Sequence, residues 1–469
     1  MTLPKFNLNT VFPASKWLKG YTNSIFKDDL MSALIGVAML VPQGMAYAMI
    51  AGLPPIMGLY ASVIPMIIYA MVGSSLTLSI GPVALISMMT FATLEPLYEV
   101  GSPVYIQAAC LLAVMVGVIS FLLGLFRFGF LIRLISHPVI QSFIIASALL
   151  IVLSQVKFLL DIPLQSSNII QFSQSLWEYI GLSHIATLGF GFAAILFLIY
   201  IPKLLKIKKM VALIGSSQFL NRAFPLILVL VSIALVYFVH IDQIGIKTVG
   251  EIPVGFPPLS MPFWTWELVK TLLPGAFMIA MVSFVESISI AQATAFQKRS
   301  ELNSNQELVA LGLANLGAGI SSAFPVSGSL SRTVVNADAG AKTPMAGVIS
   351  SILIVIVSLY FTELFALLPL SILAATIIVS IWKLVSIKPF VDAWKYSKAD
   401  GFAMLVTFLG VLCIDITSGL MIGIAVTFIL LLWRISRPHI AVIGLVQGTQ
   451  HFRNISRHDV VTSTEIVSF

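Results

Sequence analysis

The chain reads as an all-α polytopic membrane protein, and three observations carry that reading. Of its 469 residues, 58% are hydrophobic and only 10% are charged, whereas a soluble globular chain is about a quarter charged. Mean hydropathy is +1.02. Apolar runs long enough to cross the hydrocarbon core, at about 20 residues per helix, recur from Leu30 to Trp433 with short loops between them. An outer-membrane barrel would instead show strands of about ten alternating residues, so the unbroken runs specify helices. A soluble enzyme is excluded, and no nucleophile–base pair is in view.

Taken in order, the first half predicts spans near 30–50, 58–73, 82–97, 104–126, 136–160, 183–201 and 223–241. The second half predicts spans near 266–295, 307–323, 328–339, 344–365, 368–384, 401–416 and 418–435. The total is about fourteen transmembrane segments, seven and seven. Residues 1–28 carry Lys5, Lys16, Lys19 and Lys27 with no short apolar core and small-residue cleavage site, so they read as a retained cytoplasmic segment. The transmembrane domain is 29–436, followed by a cytoplasmic segment at 437–469.

With the amino terminus in the cytoplasm, all but five of the 26 Lys and Arg fall on the cytoplasmic side. This is the bias the positive-inside rule requires, and it puts both termini of a multi-pass cell (inner) membrane protein in the cytoplasm. Topology therefore accounts for the net charge of +7. The basic residues are spread over separate loops rather than one stripe, so no nucleic-acid partner is expected. Cys110 and Cys413 sit alone in apolar segments, and no disulfide, metal or cofactor site is expected.

Two segments do not read as ordinary spans. Ser79-Ile80-Gly81-Pro82-Val83-Ala84 breaks the third hydrophobic region, and Phe324-Pro325-Val326-Ser327-Gly328-Ser329 breaks the tenth, seven spans later. Short Gly/Pro-broken helices at matching places in two halves point to an inverted-repeat transporter whose site lies where two half-helix amino ends meet. Such ends offer unpaired N–H groups and the positive end of the helix dipole, so the expected ligand is an anion. A pair of proline kinks without a ligand is the alternative.

Polar residues inside spans mark the pathway, because a mid-bilayer charge costs several kcal/mol. Arg332 follows Ser329 by three residues at the start of the tenth span, where a guanidinium can fork two oxygens of an oxyanion. A snorkelling arginine or a structural ion pair is the other reading of that position. Glu286 lies deep in the eighth span and shares a helical face with Ser283 and Ser287. Desolvation of its carboxylate and the approach of Arg332 compete there, which makes it a candidate proton carrier or else a fixed partner of Arg332. Gln43 and Tyr47, spaced i and i+4, offer two hydrogen-bonding groups to one side of the first span, as anion ligands or as helix glue.

The remaining features read as structure. Gly312, Gly317 and Gly319 in the ninth span, and Gly419 and Gly423 in the last, allow close helix packing. Asp415 reads as a turn or cap. Gly340-Ala341-Lys342-Thr343 lacks the strand and upstream glycine of a phosphate loop and is set aside.

The runs Val41-Pro42-Gln43-Gly44-Met45-Ala46-Tyr47-Ala48, Gly58-Leu59-Tyr60, Gly73-Ser74-Ser75 through Gly81-Pro82-Val83-Ala84, and Ser329-Leu330-Ser331-Arg332-Thr333 resemble, in order, the sulfate permease (SulP) family of anion transporters. Two positions depart from its signature, Met57 before Gly58-Leu59-Tyr60 and Leu76 after Gly73-Ser74-Ser75. The resemblance implies two inverted seven-helix repeats working as an elevator. A core domain of spans 1–4 and 8–11 would carry the anion past a gate domain of spans 5–7 and 12–14, usually in a homodimer. It places the anion site on Gln43, Tyr47, Val83, Ala84, Ser329, Leu330, Ser331 and Arg332, and the coupling carboxylate on Glu286. After Pro438, the segment from His439 to Leu445 resembles the entrance of that family's cytoplasmic STAS domain, so only the start of a truncated STAS domain is expected.

The leading functional reading is secondary active uptake of a small inorganic oxyanion, sulfate preferred, in symport with protons and within membrane lipid. Sodium-coupled bicarbonate transport is the alternative, followed by a nucleobase permease of similar fold or a channel-like anion exchanger.

Overall fold

The computed structural model describes residues 12–129, 137–164, 168–204, 218–250, 254–298, 302–382, 385–436, 443–446 and 451–454. The expectations for 1–11 and for most of 437–469 lie outside those residues. In chain order the helices are α1 (Ala14–Leu18), α2 (Asn23–Ile50), α3 (Pro55–Tyr60), α4 (Ile64–Val72), α5 (Ala84–Leu94), α6 (Pro103–Leu125), α7 (His137–Leu160), α8 (Ile169–Tyr179), α9 (Ile185–Leu204) and α10 (Gln218–Val239). The series continues with α11 (Trp266–Lys298), α12 (Ser304–Ile320), α13 (Leu330–Asp338), α14 (Met345–Tyr360), α15 (Thr362–Ala366), α16 (Leu370–Trp382), α17 (Lys388–Tyr396), α18 (Lys398–Cys413) and α19 (Ile416–Ile435). Among the described residues, strands form two short pairs, β1 (Ile80–Gly81) with β2 (Ser327–Gly328), and β3 (Ile443–Leu445) with β4 (Phe452–Asn454).

Among the described residues, five apolar stretches are long enough to cross a membrane, namely α2, Pro55–Val72, α6, α7 and most of α11. The pair Ile169–Leu182 and Ile185–Ile201, bent by 118°, makes a sixth. Several other expected spans are shorter apolar helices such as α5, α14 and α16. The 16 residues of α14, at 1.5 Å per residue, rise only about 24 Å.

Local chemistry explains where the boundaries depart from the hydropathy pattern. The span expected at 58–73 starts at Pro55 and breaks between α3 and α4, because Pro65 has no N–H to donate to the preceding turn. The span expected at 344–365 stops at Tyr360, where Phe361 leaves helical geometry at φ −122° and ψ 5°, and α15 follows separately. Among the described residues three helices were not anticipated, the single-turn α1 together with α8 and α17. α8 starts where the Asn168 side chain accepts from the Gln171 N–H at 2.9 Å. α17 is amphipathic, with Lys388 and Lys395 interrupting its apolar residues, so a search for apolar runs passes over it.

Packing sorts the helices into two groups. The first holds α2 to α6 with α11 to α14, the second holds α7, α9 and α16 to α19, and α10 touches both, packing against α2 of the first and against α9 and α16 of the second. In lipid there is little hydrophobic drive between helices, so close backbone approach does the work. The α6–α12 pair shows it: a Cβ at Gly117 would meet the Gly312 carbonyl at 2.8 Å, and one at Gly319 the Cys110 carbonyl at 2.6 Å. Gly317 faces Ile68 of α4. In the second group Gly419 lies against the backbone of Gly410 and Val411, and Gly423 against Thr407, as their small size predicts. Asp415 caps α19, its carboxylate accepting from the Ser418 N–H at 2.8 Å.

Buried carboxylates tie loops of the first group to helix ends. The Gly340–Thr343 segment wraps a carboxylate, not a phosphate: Asp29 accepts from the N–H groups of Lys342 at 2.8 Å and Thr343 at 3.2 Å. Tyr21, ahead of α2, donates to the same carboxylate at 3.2 Å. Partial burial and the Asp29 charge push its hydroxyl up to about 12.

Candidate functional site

β1 and β2 pair antiparallel with Ile80 opposite Gly328 and Gly81 opposite Ser327. The Ser329 N–H extends the ladder to the Ser79 carbonyl at 2.9 Å, and the Ser79 N–H donates to Thr333 Oγ1 at 3.0 Å. Each strand runs straight into a short helix, β1 into α5 through Val83 and β2 into α13 through Ser329. The two breaks read from the sequence therefore meet in space, with two helix amino ends brought together at their crossing.

The ends differ in how their N–H groups are satisfied. Ser329 caps α13, its hydroxyl accepting from the Arg332 N–H at 3.5 Å. Val83 provides no side-chain cap for α5. Between them runs Arg332, 2% exposed, with Nη1 donating to the Pro82 carbonyl at 2.8 Å. Its Nε and Nη2 are shielded and have no hydrogen-bond partner. Gly81 makes room for it: φ is +153°, and a Cβ there would stand 3.2 Å from Nη2.

A cavity of roughly 80 Å³ opens beside these ends; a single water needs about 10–15 Å³ by the same measure. Of the expected residues, Tyr47, Val83, Ala84, Glu286, Ser329, Leu330 and Ser331 line it. Gln43 and Arg332 do not line it. Both are buried, and each has polar atoms without a partner, Gln43 at Oε1. Arg332 and Glu286 are close enough for their charges to interact, and the Tyr47 hydroxyl lies near both. Among the described residues Arg332 and Glu286 form no ion pair within 4 Å, so the fixed structural pair is not what the geometry shows. Glu286 Oε2 is buried and unpartnered.

The framework around the crossing is densely hydrogen-bonded. Ser283 donates to the Val326 carbonyl, Ser327 to the Ser283 carbonyl, and the Gly328 N–H to Ser287 Oγ at 2.8 Å. The serines beside Glu286 thus hold the second strand, while Glu286 is among the residues that line the cavity. Asn315 grips the same strand from α12, accepting from the Val326 N–H at 2.9 Å and donating to its carbonyl at 3.0 Å. Glu307, fully buried, accepts from Tyr69 Oη at 2.7 Å, from Ser74 N and Oγ at 2.8 and 2.7 Å, and from Ser75 N at 3.0 Å. Sequence reading missed it, although an acidic residue at the start of an apolar run was the available signal.

The far wall of the cavity comes from α7 and α16 and includes Ser147 and Ser380. These were also missed, because a lone serine in an apolar run carries no spacing signal.

The sequence profile of the sulfate permease family matches residues 26–407. The chain is 37% identical over 453 residues to sulfate transporter 4.1, chloroplastic, of Arabidopsis thaliana, covering 96% of this chain and 65% of that one. It is 35% identical to the probable sulfate transporter 4.2 of the same plant, over 96% of this chain and 66% of that one. Against the high affinity sulfate transporter 1 of Stylosanthes hamata it is 31% identical, over 97% and 68%. The chain thus spans about two thirds of the length of these relatives. Among solved structures, murine Solute Carrier 26 family member A9 anion transporter in the inward-facing state superposes with a TM-score of 0.88 at 24% identity, over 98% of this chain and 78% of that one. The transmembrane domain of the cyanobacterium bicarbonate transporter BicA superposes with a TM-score of 0.71 at 20% identity, over 87% and 98%. At such identities these likenesses speak for the fold.

Proposed function

The chain belongs to the sulfate permease family, and from that premise we propose that it moves a small inorganic oxyanion, sulfate preferred, across a membrane by proton-coupled secondary active transport. The observation that supports this most is the cavity where two half-helix amino ends meet, with buried, unpartnered polar atoms of Gln43, Glu286 and Arg332 around it. An anion gains from the dipole ends and from the arginine charge at once. The names of the relatives identify sulfate as the anion to test first.

Proton coupling rests on Glu286. A dianion entering against an inside-negative potential is opposed by about 2.3 kcal/mol per charge per 100 mV, so uptake needs accompanying positive charge. Glu286 lines the cavity, lies within the influence of Arg332 and is not ion-paired with it. A proton on the carboxyl leaves the arginine charge to the anion, and the two ligands then favour each other reciprocally.

An elevator movement is supported by the division of the cavity wall between the two packing groups, half-helices on one side and α7 with α16 on the other. The reading includes fourteen spans in two inverted repeats, a homodimer, and both termini on the cytoplasmic face of the cell membrane. The test is uptake of labelled sulfate into proteoliposomes under an imposed pH gradient, with bicarbonate and dicarboxylates as competitors. Accumulation that collapses with the gradient supports the proposal. Uptake driven by sodium and competed by bicarbonate overturns it.

A further inference from the structure

The wall facing the half-helices is aliphatic except at two hydroxyls: Ile144, Ala148, Ile151 and Ile381 surround Ser147 and Ser380. On α7 the other described serines are satisfied. Ser142 donates to the Met404 carbonyl, Ser154 donates to the Ile151 carbonyl at 2.7 Å, and Gln155 donates to Ser154 Oγ at 2.9 Å. Ser147 differs from both. It is 1% exposed, its Oγ is shielded, and it has no hydrogen-bond partner. A helical serine ordinarily returns its hydroxyl to a carbonyl one turn back, and burying it unpaired carries a desolvation penalty.

A charged acceptor entering the cavity removes that penalty. The two half-helix ends and Tyr47 line the other side. A tetrahedral oxyanion resting on them directs an oxygen across the cavity. A planar oxyanion has only three oxygens, so when all three rest on the two helix ends and Tyr47 it lies flat against them, turns a face toward α7 and leaves no oxygen directed at a hydroxyl there. We propose that Ser147 is a specificity-determining residue that donates to the far oxygen of a tetrahedral oxyanion and so selects it over planar ones. This rests on the anion-transport reading of the same cavity.

The experiment is equilibrium binding of labelled sulfate to the purified full chain, with displacement by nitrate and bicarbonate. The parent is compared with Ser147→Ala, Ser147→Thr and Ser154→Ala. A hydrogen bond to a charged group predicts that Ser147→Ala weakens sulfate binding about tenfold or more. Nitrate and bicarbonate should keep their affinities within about twofold, because they do not use this hydroxyl. Ser147→Thr, which retains the donor, should restore sulfate, and Ser154→Ala should match the parent throughout. Removal of an unpaired hydroxyl leaves the melting temperature at or above that of the parent, so a loss of sulfate binding is not unfolding. If Ser147→Ala binds sulfate like the parent, or loses sulfate and nitrate equally, the selectivity role is overturned while anion binding at the cavity stands. If the parent binds no sulfate at all, the functional reading fails and this proposal with it.

Discussion

A guanidinium secured by one carbonyl, with Nε and Nη2 buried and unpartnered, is costly to keep unless something anionic visits it. Arg332→Ala should therefore abolish or severely weaken sulfate binding and transport while the protein stays folded, since the half-helix crossing is held by the β1–β2 ladder and by the serines of α11. Unchanged sulfate affinity in the purified variant would refute the role. Gln43 and Tyr47 share one face of α2, and the Tyr47 ring lines the cavity. Gln43→Ala and Tyr47→Phe should each raise the apparent KM more than they lower the maximal rate, as loss of a hydrogen bond to a charged ligand worth about 1.5–3 kcal/mol would do. A normal KM in both would make them helix glue. Glu286→Gln fixes the neutral state, so it should still bind sulfate and yet lose accumulation driven by a pH gradient. If it concentrates sulfate with the parent's dependence on that gradient, the proton route lies elsewhere. These residues were legible beforehand because a charge or an i, i+4 polar pair inside an apolar run is costly and therefore conspicuous. Ser147 and Ser380 were not, because a hydroxyl costs little in a membrane helix and only the fold shows which ones lack a carbonyl.

The half-helices work as an element only if the loops that feed them are fixed, and Glu307 fixes one of them. Its carboxylate joins the start of α12 to the end of α4 and to the Ser74–Ser75 turn that leads into β1. Gln306 Nε2 adds a bond to the Val72 carbonyl at 2.7 Å. Glu307→Ala would leave the Tyr69 hydroxyl and two backbone N–H groups without their acceptor, each a loss of about 1–3 kcal/mol. The expected outcome is a melting temperature lowered by several degrees together with weakened sulfate binding, since β1 carries the register of the crossing. Glu307→Gln keeps an acceptor oxygen and should recover most of the stability. A melting temperature for Glu307→Ala equal to that of the parent would show that the turn holds itself. At this scale, Gly and Pro breaks announced both half-helices, because no continuous helix accommodates Ser79–Ala84 or Phe324–Ser329. What the breaks could not reveal is that their strands pair with each other across 246 residues of separation, from Gly81 to Ser327, since two-residue strands have no periodicity to read. α17 escaped for the opposite reason. Its lysines make it amphipathic, and hydropathy alone scores such a helix as loop.

For the molecule as a whole, the decisive question is whether the two walls of the cavity belong to bodies that move past each other. The charge bias of the loops gives an expected orientation without saying which helices pack together, and among the described residues several of the expected spans are shorter apolar helices, because hydropathy measures apolarity rather than helix length. Packing divides the helices that line the cavity: α5 and α13 pack with α2, α6, α11 and α12, whereas α7 and α16 pack with α9, α18 and α19. Ser331 and Ser380 line one cavity from opposite sides of that division. With Cys110 and Cys413 replaced by serine, thiols introduced at Ser331 and Ser380 can be joined by a bifunctional maleimide. A sliding movement predicts that joining them stops sulfate uptake, while either single thiol treated with the same reagent in monofunctional form transports more than the joined pair. A second pair, Ser283→Cys with Ser327→Cys, lies within one group, where Ser327 donates to the Ser283 carbonyl. Linking that pair by a disulfide should leave uptake near the level of the unlinked double variant, because nothing between those positions has to move. If the Ser331–Ser380 link leaves uptake intact, the walls form one body. The anion must then cross by local gating around a fixed site rather than by carriage on the half-helices.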